Sequence, residues 1–202
     1  LGKLTSPGMQ VTVAGATEPP QVQFVNDIMP VLAKAGCNNT ACHGSPAGKG
    51  GLRLSLFGYE PELDHPAIVK DADGKRVDLK APEKSLLLQK ALGQVPHAGG
   101  QRFKPGSREH QVMLDWLKEG AVGIGEFEAR VKSVNVVPDE PWMPSPGAKQ
   151  RLAVTAVLSD GTIQDVTEKA LFSSNDDAIA EVTDDGRVTA KQPGETAVMV
   201  RY

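Results

Sequence analysis

Arg151-Leu-Ala-Val-Thr-Ala-Val-Leu-Ser-Asp-Gly-Thr-Ile-Gln-Asp-Val166 reads as two alternating runs, Arg151–Leu158 and Thr162–Val166, joined by Ser159-Asp160-Gly161. Alternation of apolar and polar residues with period two marks a strand that buries one face. Asp-Gly between two such runs is a hairpin signal, because glycine tolerates the positive φ of a tight turn. The same signal returns at Asp185-Gly186, between Ile179-Ala-Glu-Val182 and Arg187-Val-Thr-Ala190. Further out lie Thr196-Ala-Val-Met-Val200 and, upstream of a proline-rich break from Pro138 to Pro146, Val131-Lys-Ser-Val-Asn-Val-Val137. About seven short strands are within reach, which suits an antiparallel sandwich.

Upstream of this β-rich half the pattern changes. From Val22 to Ala121 the chain reads helical and loop-rich, and the boundary falls between Val122 and Arg130. Phe24, Ile28, Val31, Leu32 and Ala35 recur at helical spacing before Gly36. A short helix is predicted from Pro61 to Lys70 and another from Glu83 to Leu92. The last helix has Ser107 as N-cap, Glu109 in its first turn, Val112, Met113, Trp116 and Leu117 on its apolar side, and Gly120 after it. The domain reading is therefore 1–21, 22–124 and 125–202. Pro7-Gly-Met-Gln-Val-Thr-Val13 echoes Pro193-Gly-Glu-Thr-Ala-Val198, so residues 1–15 are read either as the last strand of a similar upstream β-domain in a larger protein or as an ordinary extended tail.

Composition bounds the function. The chain has 202 residues and a formal net charge of −3, which offers no basic field for nucleic acid or anionic lipid. No apolar run approaches the ~20 residues of a membrane-spanning helix. No Gly-x-Ser-x-Gly elbow, Walker loop or His-Glu-x-x-His occurs, so the chain is not expected to be an enzyme.

Both cysteines fall in Ala35-Gly-Cys-Asn-Asn-Thr-Ala-Cys-His-Gly44. Haem c attachment uses two thiols that add to the porphyrin vinyl groups, with an adjacent histidine as proximal iron ligand. That assigns Cys37 and Cys42 to thioethers and His43 to iron. The usual spacing has two intervening residues, and this motif has four, so the backbone must bulge through Asn38, Asn39 and Thr40, which suit turns. Three other readings stay open. A local Cys37–Cys42 disulfide leaves His43 without a role; zinc needs further distant ligands; and the segment can lack a cofactor altogether.

Phe24-Val-Asn-Asp-Ile-Met-Pro30, Cys37 to Gly44, Gly48-Lys-Gly-Gly-Leu-Arg-Leu-Ser55, Pro96-His-Ala-Gly-Gly-Gln-Arg-Phe103 and Trp116-Leu-Lys-Glu-Gly-Ala121 together resemble the planctomycete-type cytochrome c domains. That resemblance covers 24–121 and implies a haem c domain within a large exported protein. Residues 131–202 separately look like a bacterial Ig-like (type 2) domain, on Gly186-Arg-Val-Thr-Ala190 and Pro193-Gly-Glu-Thr196. The fold class is thus multi-domain: a mainly α cytochrome c-like haem domain plus an all-β immunoglobulin-like sandwich.

In small cytochromes c the sixth ligand comes from a loop just before the last helix. Here that loop is Gly93 to Arg102, where His97 is the ligand-capable side chain, so His97 is the predicted distal iron ligand. Met113 is the runner-up, though its position suits core packing; His65 and His110 read as surface residues. Arg53, Arg76 and Arg102 are the cations to consider for the haem propionates. The expected function is electron transfer through one covalent haem c with bis-His ligation, beside an Ig-like spacer. Periplasmic or cell-surface location and a redox partner protein go with it. The alternatives are a non-haem adhesion module, or a sensor or peroxidase-like site with an open sixth position.

Overall fold

Phe24, Ile28, Val31, Leu32 and Ala35 are all buried, as their helical spacing predicts, yet the helix that carries them is of two kinds. In the computed structural model, which describes residues 10, 20–125 and 128–202, a π-helical turn at Phe24–Ile28 runs directly into α1, Met29–Lys34. Pro30 lies in the first turn of α1, where its missing N–H costs no hydrogen bond. Three more helices follow: α2, Pro61–Val69; α3, Leu86–Ala91; and α4, Arg108–Lys118. The helix read over Glu83–Leu92 is broken at Ser85, which is extended and fully buried, its hydroxyl accepting the Asp78 N–H at 2.9 Å. A short 3₁₀ turn, Pro82–Lys84, takes up the first part of that span.

Helix α4 is as read. The Ser107 hydroxyl accepts from the His110 N–H at 3.3 Å, and Met113, Trp116 and Leu117 face inward. Trp116 is fully buried and its indole N–H donates to the Val122 carbonyl at 2.8 Å, so its polar edge is satisfied. Phe24, Ile28, Ile68, Leu88 and Leu117 join it in one core; each such side chain contributes roughly 1.5–3 kcal/mol on burial.

The β-rich part contains eight strands: β1, Val131–Val137; β2, Lys149–Arg151; β3, Ala153–Leu158; β4, Ile163–Asp165; β5, Leu171–Ser174; β6, Ala180–Val182; β7, Arg187–Ala190; and β8, Val198–Arg201. They pair antiparallel as β1-β3-β4, β2-β7-β6 and β5-β8. Both Asp-Gly hairpins form, with φ of +85° at Gly161 and +78° at Gly186. The run Arg151–Leu158 is not one strand: Arg151 pairs with Arg187 while Ala153 pairs with Val137, so the chain changes sheets at Leu152. Val154, Ala156, Leu158, Val166 and Ala170 form one core; Leu152, Ala180 and Val188 form a second, and Val136 and Phe172 pack against both. This is a sandwich-like β unit beside a helical one. The proposed upstream strand in residues 1–15 lies outside the described residues, apart from Gln10.

The β unit is docked on the helix that leads to Cys37. The Lys169 ammonium donates to the Asn26 carbonyl at 2.9 Å and to the Asp27 carboxylate at 2.7 Å, and the Asn26 amide donates to the Ala129 carbonyl at 2.8 Å. Lys34 reaches the carbonyls of Glu168 and Asp184 at 2.6 and 2.9 Å. The Tyr202 hydroxyl donates to the Asn26 carbonyl at 3.1 Å; burial, reinforced by Asp27, pushes its pKa up to about 12 and keeps it a donor. Among the described residues no helix is long and apolar enough to cross a membrane.

Candidate functional site

Helix α1 ends at Lys34, and Cys37 follows with its N–H on the Leu32 carbonyl at 2.8 Å. The four residues between the cysteines then fold into a closed turn. Cys42 and Gly44 donate to the Asn39 carbonyl at 3.1 and 3.0 Å, and His43 donates to the Cys37 carbonyl at 2.9 Å. Asn39 shapes the turn further, its side-chain oxygen accepting from the Ala41 N–H at 3.0 Å. A Cβ on residue 44 would lie 2.1 Å from the Asn38 carbonyl oxygen, so only glycine lets the turn close. Asn38 is fully buried, and its amide has no hydrogen-bond partner among the described residues. Its carbonyl accepts from the Phe57 N–H at 3.0 Å and the His43 carbonyl from Leu54 N–H at 2.8 Å, which lays residues 54–57 along the turn.

Cys37 and Cys42 are both free thiols and half-buried. Burial raises the Cys37 pKa to about 11 against the opposing charge of Arg102, so this sulfur is a neutral thiol at physiological pH.

His43 and His97 come together. Their ring centroids are 6.2 Å apart and their planes differ by 7°. The His43 Nδ1 lies 3.1 Å from the carbonyls of both Lys49 and Leu52, and the His97 Nδ1 lies 2.8 Å from the Gly100 carbonyl. A carbonyl only accepts, so in each ring Nδ1 is the donor and the neutral form leaves the Nε2 lone pair free. Burial lowers the pKa of His43, more than the two carbonyls restore, which favours that neutral ring.

Two imidazoles on opposite sides of one metal, with metal–nitrogen bonds of about 2.0 Å and ring centres about 1.1 Å beyond each nitrogen, stand roughly 6.2 Å apart. The separation of the His43 and His97 ring centres equals that figure. An open cleft beside it is lined by Leu92, Val95, Pro96, His97 and Gln101. Among the described residues no three His, Cys, Asp or Glu side chains converge on a point, as a zinc site requires.

The other sequence candidates lie elsewhere. Met113 is 1% exposed and belongs to the helical core. His65 is not the surface residue its position suggests: its ring stands edge-on to Phe24 at 5.0 Å and its Nε2 meets the Ala121 carbonyl at 2.9 Å. The His110 Nδ1 accepts from the Gly106 N–H at the start of α4. Arg53 is exposed. Arg76 and Arg102 spend their guanidiniums on backbone carbonyls, Arg76 on Ala67, Asp71 and Gly51, and Arg102 on Ala35 and Gly99. Sequence reasoning missed the carbonyls of Lys49, Leu52 and Gly100 that orient the histidines, since a carbonyl leaves no residue-type signature.

Comparison with known proteins finds similarity over part of the chain. Ice-binding protein 1 of Shewanella frigidimarina (strain NCIMB 400) is 36% identical over 66 residues, which are 33% of this chain and 7% of that protein. No cytochrome c family model matches the chain. Residues 130–200, the span of the β unit, match the family model of the bacterial Ig-like domain (group 2).

Proposed function

We propose that residues 22–124 are a c-type cytochrome module, with haem c joined through thioethers to Cys37 and Cys42 and held axially by His43 and His97. The observation that carries this reading is the histidine pair: parallel rings at 6.2 Å, each with Nδ1 committed to a backbone carbonyl. Haem c, when bound, supplies reversible one-electron exchange at its iron. His43 and His97 would hold the iron of a bound haem through Nε2, and the carbonyls on their Nδ1 atoms would fix the tautomer and raise the basicity of each ring. A second imidazole in place of a thioether favours the ferric state and a low potential. No substrate is turned over by this chain; it exchanges electrons with a redox partner protein. The Ig-like unit serves as a docked spacer, and the protein is exported to the periplasm or cell surface, where haem c is matured.

The test is expression in an exporting host with cytochrome c maturation, followed by intact mass and acid extraction. The wild-type chain gains the mass of one haem that resists extraction, and Cys37→Ala/Cys42→Ala carries none. Haem still covalently bound in the double variant overturns the attachment.

A further inference from the structure

We propose that Arg102 is a positioning residue that fixes the separation of the two histidine rings, by bracketing the segment before Cys37 to the turn that carries His97. The proposal rests on the haem reading above. The Arg102 Nε donates to the Ala35 carbonyl at 2.6 Å and its Nη1 to the Gly99 carbonyl at 3.1 Å. Ala35 precedes Cys37 by two residues and Gly99 follows His97 by two, so one guanidinium spans the two sides of the site. Among the described residues it makes the one side-chain hydrogen bond between residues 35–44 and the loop 93–102.

The turn it grips is closed on itself. His97 Nδ1 is on the Gly100 carbonyl at 2.8 Å and the Gly100 N–H is on the His97 carbonyl at 2.8 Å, so the ring is locked to its own backbone. Where that unit sits depends on what holds it from outside. Lys90 tethers the Pro96 carbonyl at 2.9 Å, and the Arg102 N–H closes the loop base on the Ala91 carbonyl at 2.8 Å, but both anchor the loop to α3 and its end. Only the Arg102 fork refers it to the cysteine segment. Lysine keeps the charge but has no planar fork able to hold two carbonyls at a set angle.

The experiment uses the haem-loaded full chain with Arg102→Met, Arg102→Lys and a core control, Trp116→Phe. Ferric protein is titrated with imidazole and thermal unfolding is followed in parallel. Loss of two charged hydrogen bonds shifts a closed-to-open equilibrium by about tenfold or more, so both Arg102 variants should take up imidazole at about a tenth of the wild-type concentration or below. Their covalent haem content should stay at the wild-type level. Trp116→Phe should lower the unfolding temperature and leave the imidazole titration unchanged. Wild-type titrations in both Arg102 variants overturn the bracket, as does a wild-type result for Arg102→Lys alone, which would assign the effect to charge. Equal imidazole uptake by Trp116→Phe overturns it too, since general loosening would then suffice. Should Arg102→Met fail to fold, Arg102→Lys decides. A wild-type chain without covalent haem defeats the haem reading and the bracket together, whereas loaded wild type with unaltered variants defeats the bracket alone.

Discussion

Replacing His97 with alanine separates ligation from folding. The imidazole makes one hydrogen bond, Nδ1 to the Gly100 carbonyl at 2.8 Å, on a partly exposed loop. Losing such a bond costs about 0.5–1.5 kcal/mol. At about 2–4 °C per kcal/mol for a chain of this size, that is a fall of roughly 1–6 °C in unfolding temperature, so the helical core persists. The site itself changes completely. A ring whose centre lies 6.2 Å from that of His43 is replaced by a methyl group, and no other residue from Gly93 to Arg102 carries an imidazole or thioether to replace it. The ferric absorption spectrum of the haem-loaded variant should move from low spin toward high spin, and added imidazole should restore low spin, with haem still covalent by mass. The parallel Met113→Leu variant should keep the wild-type spectrum, because Met113 is 1% exposed in the core and the swap conserves volume. An unchanged low-spin spectrum in His97→Ala, or its loss in Met113→Leu, refutes the axial assignment and leaves the thioethers untouched.

Two further outcomes probe the fold. Lys169→Met keeps the apolar stem but removes the donor to Asn26 and Asp27, whose carboxylate pairs with Lys169 in a contact where the two side chains are only 17% and 26% exposed; it should cost about 2 kcal/mol. Calorimetry should show the loss in the helical unit, and an unfolding profile within a degree of wild type would mean the two units do not support each other. Asp64 is fully buried, and desolvation raises its pKa despite the hydrogen bonds it accepts from the Ser55 N–H and hydroxyl. A raised folded pKa contributes stability that is complete below the unfolded value of about 4 and lost as pH climbs through the folded value. Asp64→Asn has no such loss, so its unfolding temperature relative to wild type should rise from pH 4 to pH 7. A relative fall over that window contradicts the burial argument.

What the residues disclosed and what they hid divides along the range of the interactions. The α4 boundaries follow from Ser107 and Gly120, and both hairpins from Asp-Gly, because caps and turns are settled within a few residues. The change of sheet at Leu152 was invisible for a definite reason. Leu152, Val154, Ala156 and Leu158 keep strict alternation straight through it, so burial periodicity carries no mark of the exchange of partner. Strand β5, Leu171-Phe-Ser-Ser174, runs into Asn-Asp-Asp and reads as loop; it becomes a strand by pairing with β8. Asn26 is 2% exposed on the inner side of the first helix, where its amide finds acceptors in the Gln23 side chain and in the carbonyl of Ala129, 103 positions away. His65 was misplaced on the surface for the same reason: its partner is the carbonyl of a distant segment.

The four-residue spacing between the cysteines shows how a departure from the common motif is absorbed locally. Two extra residues in an extended linker would displace the second cysteine and its histidine by several ångströms, about 3.3 Å for each residue. Here they are folded away. Asn39 accepts from both Cys42 and Gly44, and the His43 N–H returns to the carbonyl of Cys37 itself, so the histidine is tied to the first cysteine rather than spaced from it. The closure depends on residue 44 lacking a side chain and on Asn39 accepting from Ala41. Once tied, the His43 carbonyl is claimed by Leu54 and its Nδ1 by Lys49 and Leu52. The ring is therefore oriented at Nδ1 by two backbone carbonyls, and the backbone that carries it is held by Leu54. Its counterpart at His97 is oriented by its own turn and, through Arg102, by the carbonyl at Ala35 where the cysteine segment begins. The segment read as a spacing of cysteines is thus held by hydrogen-bond connectivity, which ties His43 to Cys37 whatever the count of intervening residues.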